Sequence, residues 1–492
     1  MHWFFVFTPT TLITFEYFRA KFNDLLSFFR INDPYRLLGL LILFFIISLP
    51  VFLFSPGLTW QELNSFIVGT KINEGLRPYS ELIDSTPLLT QWMYGVFNWI
   101  SGQHITLRHT LAFLILFFQA AYIGFVFINR KAYTETTYIP SVLFCLLCCI
   151  SFDVISITGT LLASGFLLLA INNIFREIEF REPNDSSLVK SGVYLGLASL
   201  SVFSYIIFFF AAILILAFFT RSSIRRQLLF LIGFLLPHTL LLSYYYLLDQ
   251  HSELINYFYK ANLLADEHVF LNTKTLLILS SVPIAYFIIS FFTLNRASRL
   301  TNYQSQLLQA MFLWLIAGVV HLFFTRSLRP QSLLPLFPPL SFLLTHFLLS
   351  IHRKRFAEIH IWVFTIGILL TSYLVRNNFF SNTGYSGMIV KENSPSVPDK
   401  RILIFDDDYS PYLNNPLATG FSEWALYKNI VEAPEYPENI LTVSKQFALE
   451  KPEVIIDPNN LLAAFFQHLP GLEEQYDRKE NIYYLKSVNG SD

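Results

Sequence analysis

Leu58-Thr-Trp60-Gln61-Glu62, Gly75-Leu-Arg77-Pro78-Tyr79 and Asp84-Ser-Thr-Pro87-Leu88 follow one another within a single polar stretch. An apolar run long enough to cross a bilayer, 36–55, comes directly before it. An acidic residue, a short amphipathic segment, then Gly-x-x-Pro-Tyr and Asp-x-x-Pro form an unusual loop in a chain that is otherwise greasy. A carboxylate held at a membrane face is the natural place to look for chemistry.

Working outward, only 14% of the 492 residues are charged, against about 25% in an ordinary soluble chain. That deficit predicts a polytopic membrane protein. The formal net charge of −1 gives no electrostatic pull toward nucleic acid. The cysteines, Cys145, Cys148 and Cys149, share one apolar run without His or carboxylate neighbours, so they read as small packing residues rather than half a metal site. Residues 1–35 read as a cytoplasmic amphipathic lead-in, with no cleavable signal and the first span acting as an uncleaved anchor.

Runs near the spanning length of about 20 residues lie at 36–55, 106–128, 138–156, 157–175, 190–204, 206–219, 227–247, 274–294, 305–324, 331–350 and 357–375. They predict about eleven transmembrane helices. The pair 190–219 reads equally as one long helix or as two broken near Ser204-Tyr205. Residues 88–100 are too short to span, and Trp92, Tyr94 and Trp99 suit a helix lying in the outer interface. With that helix outside the bilayer, Arg130-Lys131, Arg225-Arg226 and His352-Arg353-Lys354-Arg355 all fall in cytoplasmic loops, as the positive-inside bias requires. The N-terminus is then cytoplasmic, and residues 376–492 lie outside. Their strand-like runs 401–405, 454–457 and 482–485, between helical patterns at 421–431 and 459–469, predict a small extracytoplasmic α/β domain.

Four sets of residues could carry chemistry. Glu62, beyond the outer end of the first span, could orient or deprotonate an acceptor hydroxyl, although a solvated loop glutamate looks the same in sequence. Asp84 before Pro87 could cap the following helix. Asp153 lies near the outer end of the third span, where an ionisable group is expensive. Arg326 and Arg329 sit on the outer side against the charge bias. Guanidinium groups there suit a lipid phosphate, with headgroup snorkelling the alternative. His251, Asp266, Glu267 and His268 match no closed metal-site spacing, and Asp406-Asp407-Asp408 reads equally as a strand-end turn.

Taken together, these residues resemble the GT-C superfamily of membrane glycosyltransferases, in the bacterial branch of protein O-mannosyltransferases and lipid A aminoarabinose transferases. The likeness rests on Gln61-Glu62, Gly75…Pro78-Tyr79, Asp84…Pro87, Arg108 near the start of the next span, Asp153, and Arg329…Pro335…Pro338. It covers residues 36–375, with the first outer loop at 56–105. It departs at Gln61, where the family often has a first acid, at Leu88, where a second proline stands, and at Pro330, where a tyrosine follows the late arginine.

The resemblance implies a GT-C-like transmembrane domain and an inverting glycosyltransferase of the bacterial inner membrane. Its partners would be a polyprenyl-phosphate sugar, an extracytoplasmic acceptor and membrane lipids, and no tightly bound cofactor would be needed. Glu62 and Asp153 would be catalytic. Arg77, Tyr79, Asp84, Arg108, Arg326 and Arg329 would bind substrate. The alternatives are a catalytically inactive GT-C-like envelope scaffold and, ranked last, a lipid transporter.

Overall fold

The computed structural model describes residues 25–30, 33–53, 57–179, 185–220, 222–264, 271–297, 300–325, 328–380, 384–391 and 399–486. Most of the lead-in, together with Asp266, Glu267, His268 and Arg326, lies outside the described residues.

The first apolar run forms α1 (Arg36–Leu53). The polar loop then builds two helices, α2 (Trp60–Asn73) and α3 (Leu88–Ser101). Gly69 and Gly95 let them pack closely: a Cβ on Gly69 would fall 2.6 Å from the Tyr94 carbonyl oxygen. α3, at 14 residues, is too short to span. Trp92 and Trp99 face outward, as expected for an interfacial helix, but Tyr94 is buried.

Next come α4 (Ile105–Asn129), α5 (Ile139–Cys148), α6 (Gly159–Glu179), α7 (Asp185–Ser201), α8 (Ile206–Phe219) and α9 (Ile224–Leu247). They are followed by α10 (Thr273–Leu279), α11 (Ser281–Ala297), α12 (Asn302–Leu322), α13 (Phe337–Ser350) and α14 (Lys354–Arg376). Among the described residues, six helical segments are long and apolar enough to cross a membrane, or seven if the α10–α11 pair, bent by 60°, is one broken span. Three shorter apolar helices accompany them. The expected count of about eleven transmembrane helices is not confirmed by these segments, and several of the expected runs are interrupted for local reasons.

The 138–156 run stops being α-helical at Cys148 and re-forms as a 3-10 turn at Phe152–Ile155. The proline-rich 330–340 run enters α13 through a 3-10 segment, Pro330–Leu336. Residues 190–219 are two helices, broken by a 3-10 turn at Phe203–Tyr205. Such irregular backbone at membrane depth is tolerated where it is buried in protein or lines a cavity.

Helix packing here relies on small residues, since lipid gives no hydrophobic drive between helices. α7 and α9 meet at Gly192, Gly196 and Gly233. Any Cβ added there would come within 2.5 Å of a backbone oxygen on the facing helix. The opposite faces of the apolar helices expose Ile42, Phe45, Phe118, Phe125, Leu240 and Ile366, which suits contact with lipid.

Past residue 399 the chain forms a four-stranded sheet from β1 (Ile402–Ile404), β2 (Val454–Ile456), β3 (Tyr476–Lys479) and β4 (Ile482–Leu485), in the order β1-β2-β4-β3. β1 and β2 are parallel and the other pairs antiparallel. β3 and the helix α16 (Pro437–Leu449) went unseen in sequence, whereas α15 (Trp424–Glu432) matches the pattern at 421–431. The sheet shares one hydrophobic cluster with Leu63, Ile67 and Ile83 of the first outer loop. Gly420 presses so closely on that loop that a Cβ would collide with the Glu81 carbonyl, while Ile83 N donates to Gly420 O at 2.8 Å. The C-terminal segment is thereby fixed over the loop opening.

Candidate functional site

A cavity of about 400 Å³ lies where the first outer loop, the membrane helices and the C-terminal segment meet. α2 contributes Trp60, Gln61 and Asn64, and the loop before α3 contributes Ser85, Thr86 and Pro87. The α7–α8 break contributes Ser201 and Phe203, and the segment after α12 contributes Arg329. Asp407, Tyr409 and Glu423 close the far side.

Arg329 is the cavity's buried cation. It is 7% exposed, and its Nε and Nη1 have no hydrogen-bond partner among the described residues. Its charge reaches Tyr94 and Asp153, opposing the upward push of burial on both. Asp153 sits in the 3-10 turn after α5, not at the end of a long helix. Its Oδ2 accepts from Gln331 N at 3.1 Å, and Oδ1 is buried without a partner. Burial raises the Asp153 carboxyl, and Arg329 and the Gln331 amide pull it back. Asp153 is not among the residues that line the cavity, but it is near enough for the charge of Arg329 to act on it.

Glu62 is turned away from the cavity. Thr59 and Glu62 form a capping box at the start of α2, in which the Glu62 carboxylate accepts from Thr59 N at 3.0 Å and Thr59 Oγ1 at 2.8 Å. Its other oxygen is 2.5 Å from His109 Nε2. Burial pushes this carboxyl up, but His109 and the Thr59 donors outweigh burial and leave it lowered. The Thr-x-x-Glu pattern was a sequence signal for this cap, while His109 gave none. The neighbouring Gln61 faces the cavity, and its Nε2 donates to Tyr94 Oη at 3.1 Å.

Asp84 does not cap α3. Pro87 is the N-cap and offers no side-chain bond. Asp84 instead accepts from Thr86 N at 2.7 Å and Ser422 Oγ at 2.9 Å, fastening the loop to the C-terminal segment. Burial, and then the charge of Glu423, push its carboxyl up to about 6.

The remaining predicted residues lie elsewhere. Tyr79, at φ 64°, is buried against Tyr245 and Phe258 and donates to Thr86 O at 3.0 Å. Arg77 is exposed, and its backbone N–H bonds Glu81. Arg108 is buried in a clamp between α2, α3 and α4. Of the predicted residues that the structure describes, Arg329 alone lines this cavity.

Glu62 and Asp84 should leave opposite pH signatures. A lowered carboxyl stabilises the fold above its ordinary value near 4.5, and that contribution is lost as pH falls through the folded value. Glu62→Gln should therefore lower thermal stability at pH 7 and converge on wild type in acid. A raised carboxyl does the reverse, favouring the fold below 3.8 and losing that advantage as pH rises through about 6. Asp84→Asn, which keeps an acceptor for Thr86 N, should gain stability relative to wild type as pH rises from 3.8 to about 6 and hold that gain at higher pH. Parallel pH curves for both variants and wild type would contradict these placements.

No family model and no curated protein sequence matches this chain. Its structure is similar to that of ArnT from Cupriavidus metallidurans bound to undecaprenyl phosphate, with a TM-score of 0.54 and 15% identity over 92% of this chain and 99% of that one. The apo state of the same protein matches with a TM-score of 0.51 and 15% identity, over 91% and 97% of the two chains. The oligosaccharyltransferase from Archaeoglobus fulgidus matches more loosely, with a TM-score of 0.46 and 10% identity over 93% and 75%, too loosely to carry an argument. At these identities the likeness establishes the fold alone: the chain shares the fold of that ArnT structure.

Proposed function

We propose that this protein is a membrane glycosyltransferase that takes a sugar from a polyprenyl-phosphate donor and passes it to an extracytoplasmic acceptor. One observation carries the reading: a buried arginine lines a polar cavity, and two of its nitrogens have no partner among the described residues. An unpaired buried guanidinium is costly, and an anionic ligand that accepts from it offsets that cost. A phosphate monoester or diester fits the planar fork of donors. The undecaprenyl phosphate bound to the structurally similar ArnT supports a lipid-linked phosphate as that ligand.

In this reading the phosphate lies on Arg329, with Asp153 near that arginine as a positioning residue. The sugar occupies the cavity beside Trp60 and Tyr409, which pack edge-to-face at 6.3 Å and together line it with aromatic surface that suits a pyranose or furanose ring. Attack on the anomeric carbon from the side opposite the phosphate inverts that centre, and the polyprenyl phosphate leaves with the bonding electrons. Arg329 stabilises the charge that grows on the departing group.

A second reading has a specific observation behind it. The first loop offers the cavity the amide of Gln61 rather than a carboxylate, which suits a scaffold that kept the fold without the reaction. One assay separates the two. Vesicles carrying the protein are given a panel of polyprenyl-phosphate sugars labelled in the sugar. Time-dependent release of polyprenyl phosphate from one of them, absent from control vesicles, is the expected result. No release from any donor, together with no saturable binding of undecaprenyl phosphate, leaves the scaffold.

A further inference from the structure

The described part of the first outer loop lends the cavity only uncharged side chains: Trp60, Gln61, Leu63, Asn64, Ile67, Ser85, Thr86, Pro87 and their neighbours in α3. Glu62 faces His109, Asp84 is bonded to Thr86 and Ser422, and Asp153 accepts from Gln331 N; none of the three lines the cavity. The described carboxylates that line the cavity are Asp407 and Glu423, and both come from the C-terminal segment. Asp407 is exposed, on the turn after β1. Glu423 is half-buried and fastened: its Oε2 accepts from Ser85 N at 2.7 Å and from Ser85 Oγ at 2.5 Å. It also occupies the N-cap position of α15. The next backbone amide, Trp424 N, donates at 2.5 Å to Tyr409 Oη, another cavity residue.

From this geometry we infer that Glu423, supplied by the C-terminal segment, is the catalytic base that orients and deprotonates the acceptor. This inference rests on the transferase reading above. The acceptor is then a hydroxyl-bearing molecule entering on the side of Asp407, Tyr409 and Asn262. Its oxygen bonds to the anomeric carbon while its proton passes to the Glu423 carboxylate. The bond from the anomeric carbon to the phosphate oxygen breaks, and the electron pair leaves on the polyprenyl phosphate beside Arg329. The proton then returns to solvent, and no other reactant is required. Ser85 is a positioning residue that holds the carboxylate through two bonds to one oxygen. A base fixed within hydrogen-bond reach of the proton it removes contributes about 10²–10⁴ in rate.

The arrangement gives the C-terminal segment a role beyond covering the loop. Membrane helices hold the leaving group and the outer segment holds the base, so the reacting groups meet only when the two parts are docked. The docking bonds, Asp84 to Ser422 and Gln446 Nε2 to Glu81 O at 2.8 Å, lie directly beside the base.

The test uses the full-length protein in nanodiscs, with undecaprenyl phosphate as the binding probe and the labelled polyprenyl-phosphate sugars as donors. Glu423→Gln retains an acceptor oxygen for Ser85, so the docked fold should persist. The expected result is a kcat lowered at least a hundredfold, with the donor KM and the affinity for undecaprenyl phosphate within about threefold of wild type. The acidic limb of the pH–rate profile should vanish, and Glu423→Asp should recover part of the rate. Ser85→Ala should lower kcat by a smaller factor and leave donor KM unchanged. A Glu423→Gln protein that keeps wild-type kcat overturns the inference while wild-type turnover leaves the transferase reading standing. A raised donor KM at full kcat overturns it too, making Glu423 a sugar-binding group. Wild-type protein that neither binds undecaprenyl phosphate nor turns over any donor removes the transferase reading, and the inference with it.

Discussion

Replacing Arg329 by alanine should raise the KM for the polyprenyl-phosphate donor about ten- to a hundredfold, because hydrogen bonds to a charged group are worth roughly 1.5–3 kcal/mol. The side chain is buried and its Nε and Nη1 have no hydrogen-bond partner among the described residues, so little of the described bonding is lost with it. Its loss also takes the neighbouring cation from the buried Asp153 carboxyl, so a modest fall in stability is expected beside the change in KM. Arg329→Lys keeps the charge but not the planar fork, and should recover only part of the affinity. The check is a donor titration in nanodiscs beside a thermal melt of the same samples. An unchanged KM would take Arg329 out of the binding site, and a large fall in melting temperature would make it a structural residue.

Arg108→Ala should behave in the opposite way. Its guanidinium donates to Ser65 Oγ at 2.7 Å, Ser101 Oγ at 3.2 Å and Asn98 Oδ1 at 3.1 Å, and its Cζ lies 3.9 Å from the centroid of the Phe66 ring. One side chain thus ties α2 and α3 to the start of α4. Truncation strands three acceptors in a buried site and removes a cation–π contact, for an expected loss of about 3 kcal/mol. Denaturant unfolding in detergent measures this directly. A stable Arg108→Ala protein with a raised donor KM would return Arg108 to the substrate, where the motif resemblance had placed it.

What the sequence could and could not reveal follows from the range of the forces involved. Membrane character and the interfacial α3 were legible because they depend on composition and run length alone. Arg329 was legible because a cation on the wrong side of the charge bias needs a reason. The irregular turns at Phe152–Ile155 and Pro330–Leu336 were hidden inside apolar runs, since hydropathy does not distinguish an unbroken helix from one interrupted beside a cavity. The placement of Glu62 has a local signal: Thr59-x-x-Glu62 is a capping pattern that sends the carboxylate back to the helix start, while Gln61 lines the cavity. Glu423 had no local signal at all. Its place beside Ser85 depends on a contact between residues 338 apart in the chain, and no periodicity or motif encodes such a pairing.

A lipid-linked phosphate is expected to occupy the outer cavity on Arg329. The most direct measurement is an experimental structure of the protein in lipid with undecaprenyl phosphate bound. The phosphate should lie within hydrogen-bond distance of Arg329 Nε and Nη1, with Gln61 and Glu423 facing the same space. A phosphate bound elsewhere, with the Arg329 nitrogens engaged by the protein's own side chains, would contradict it.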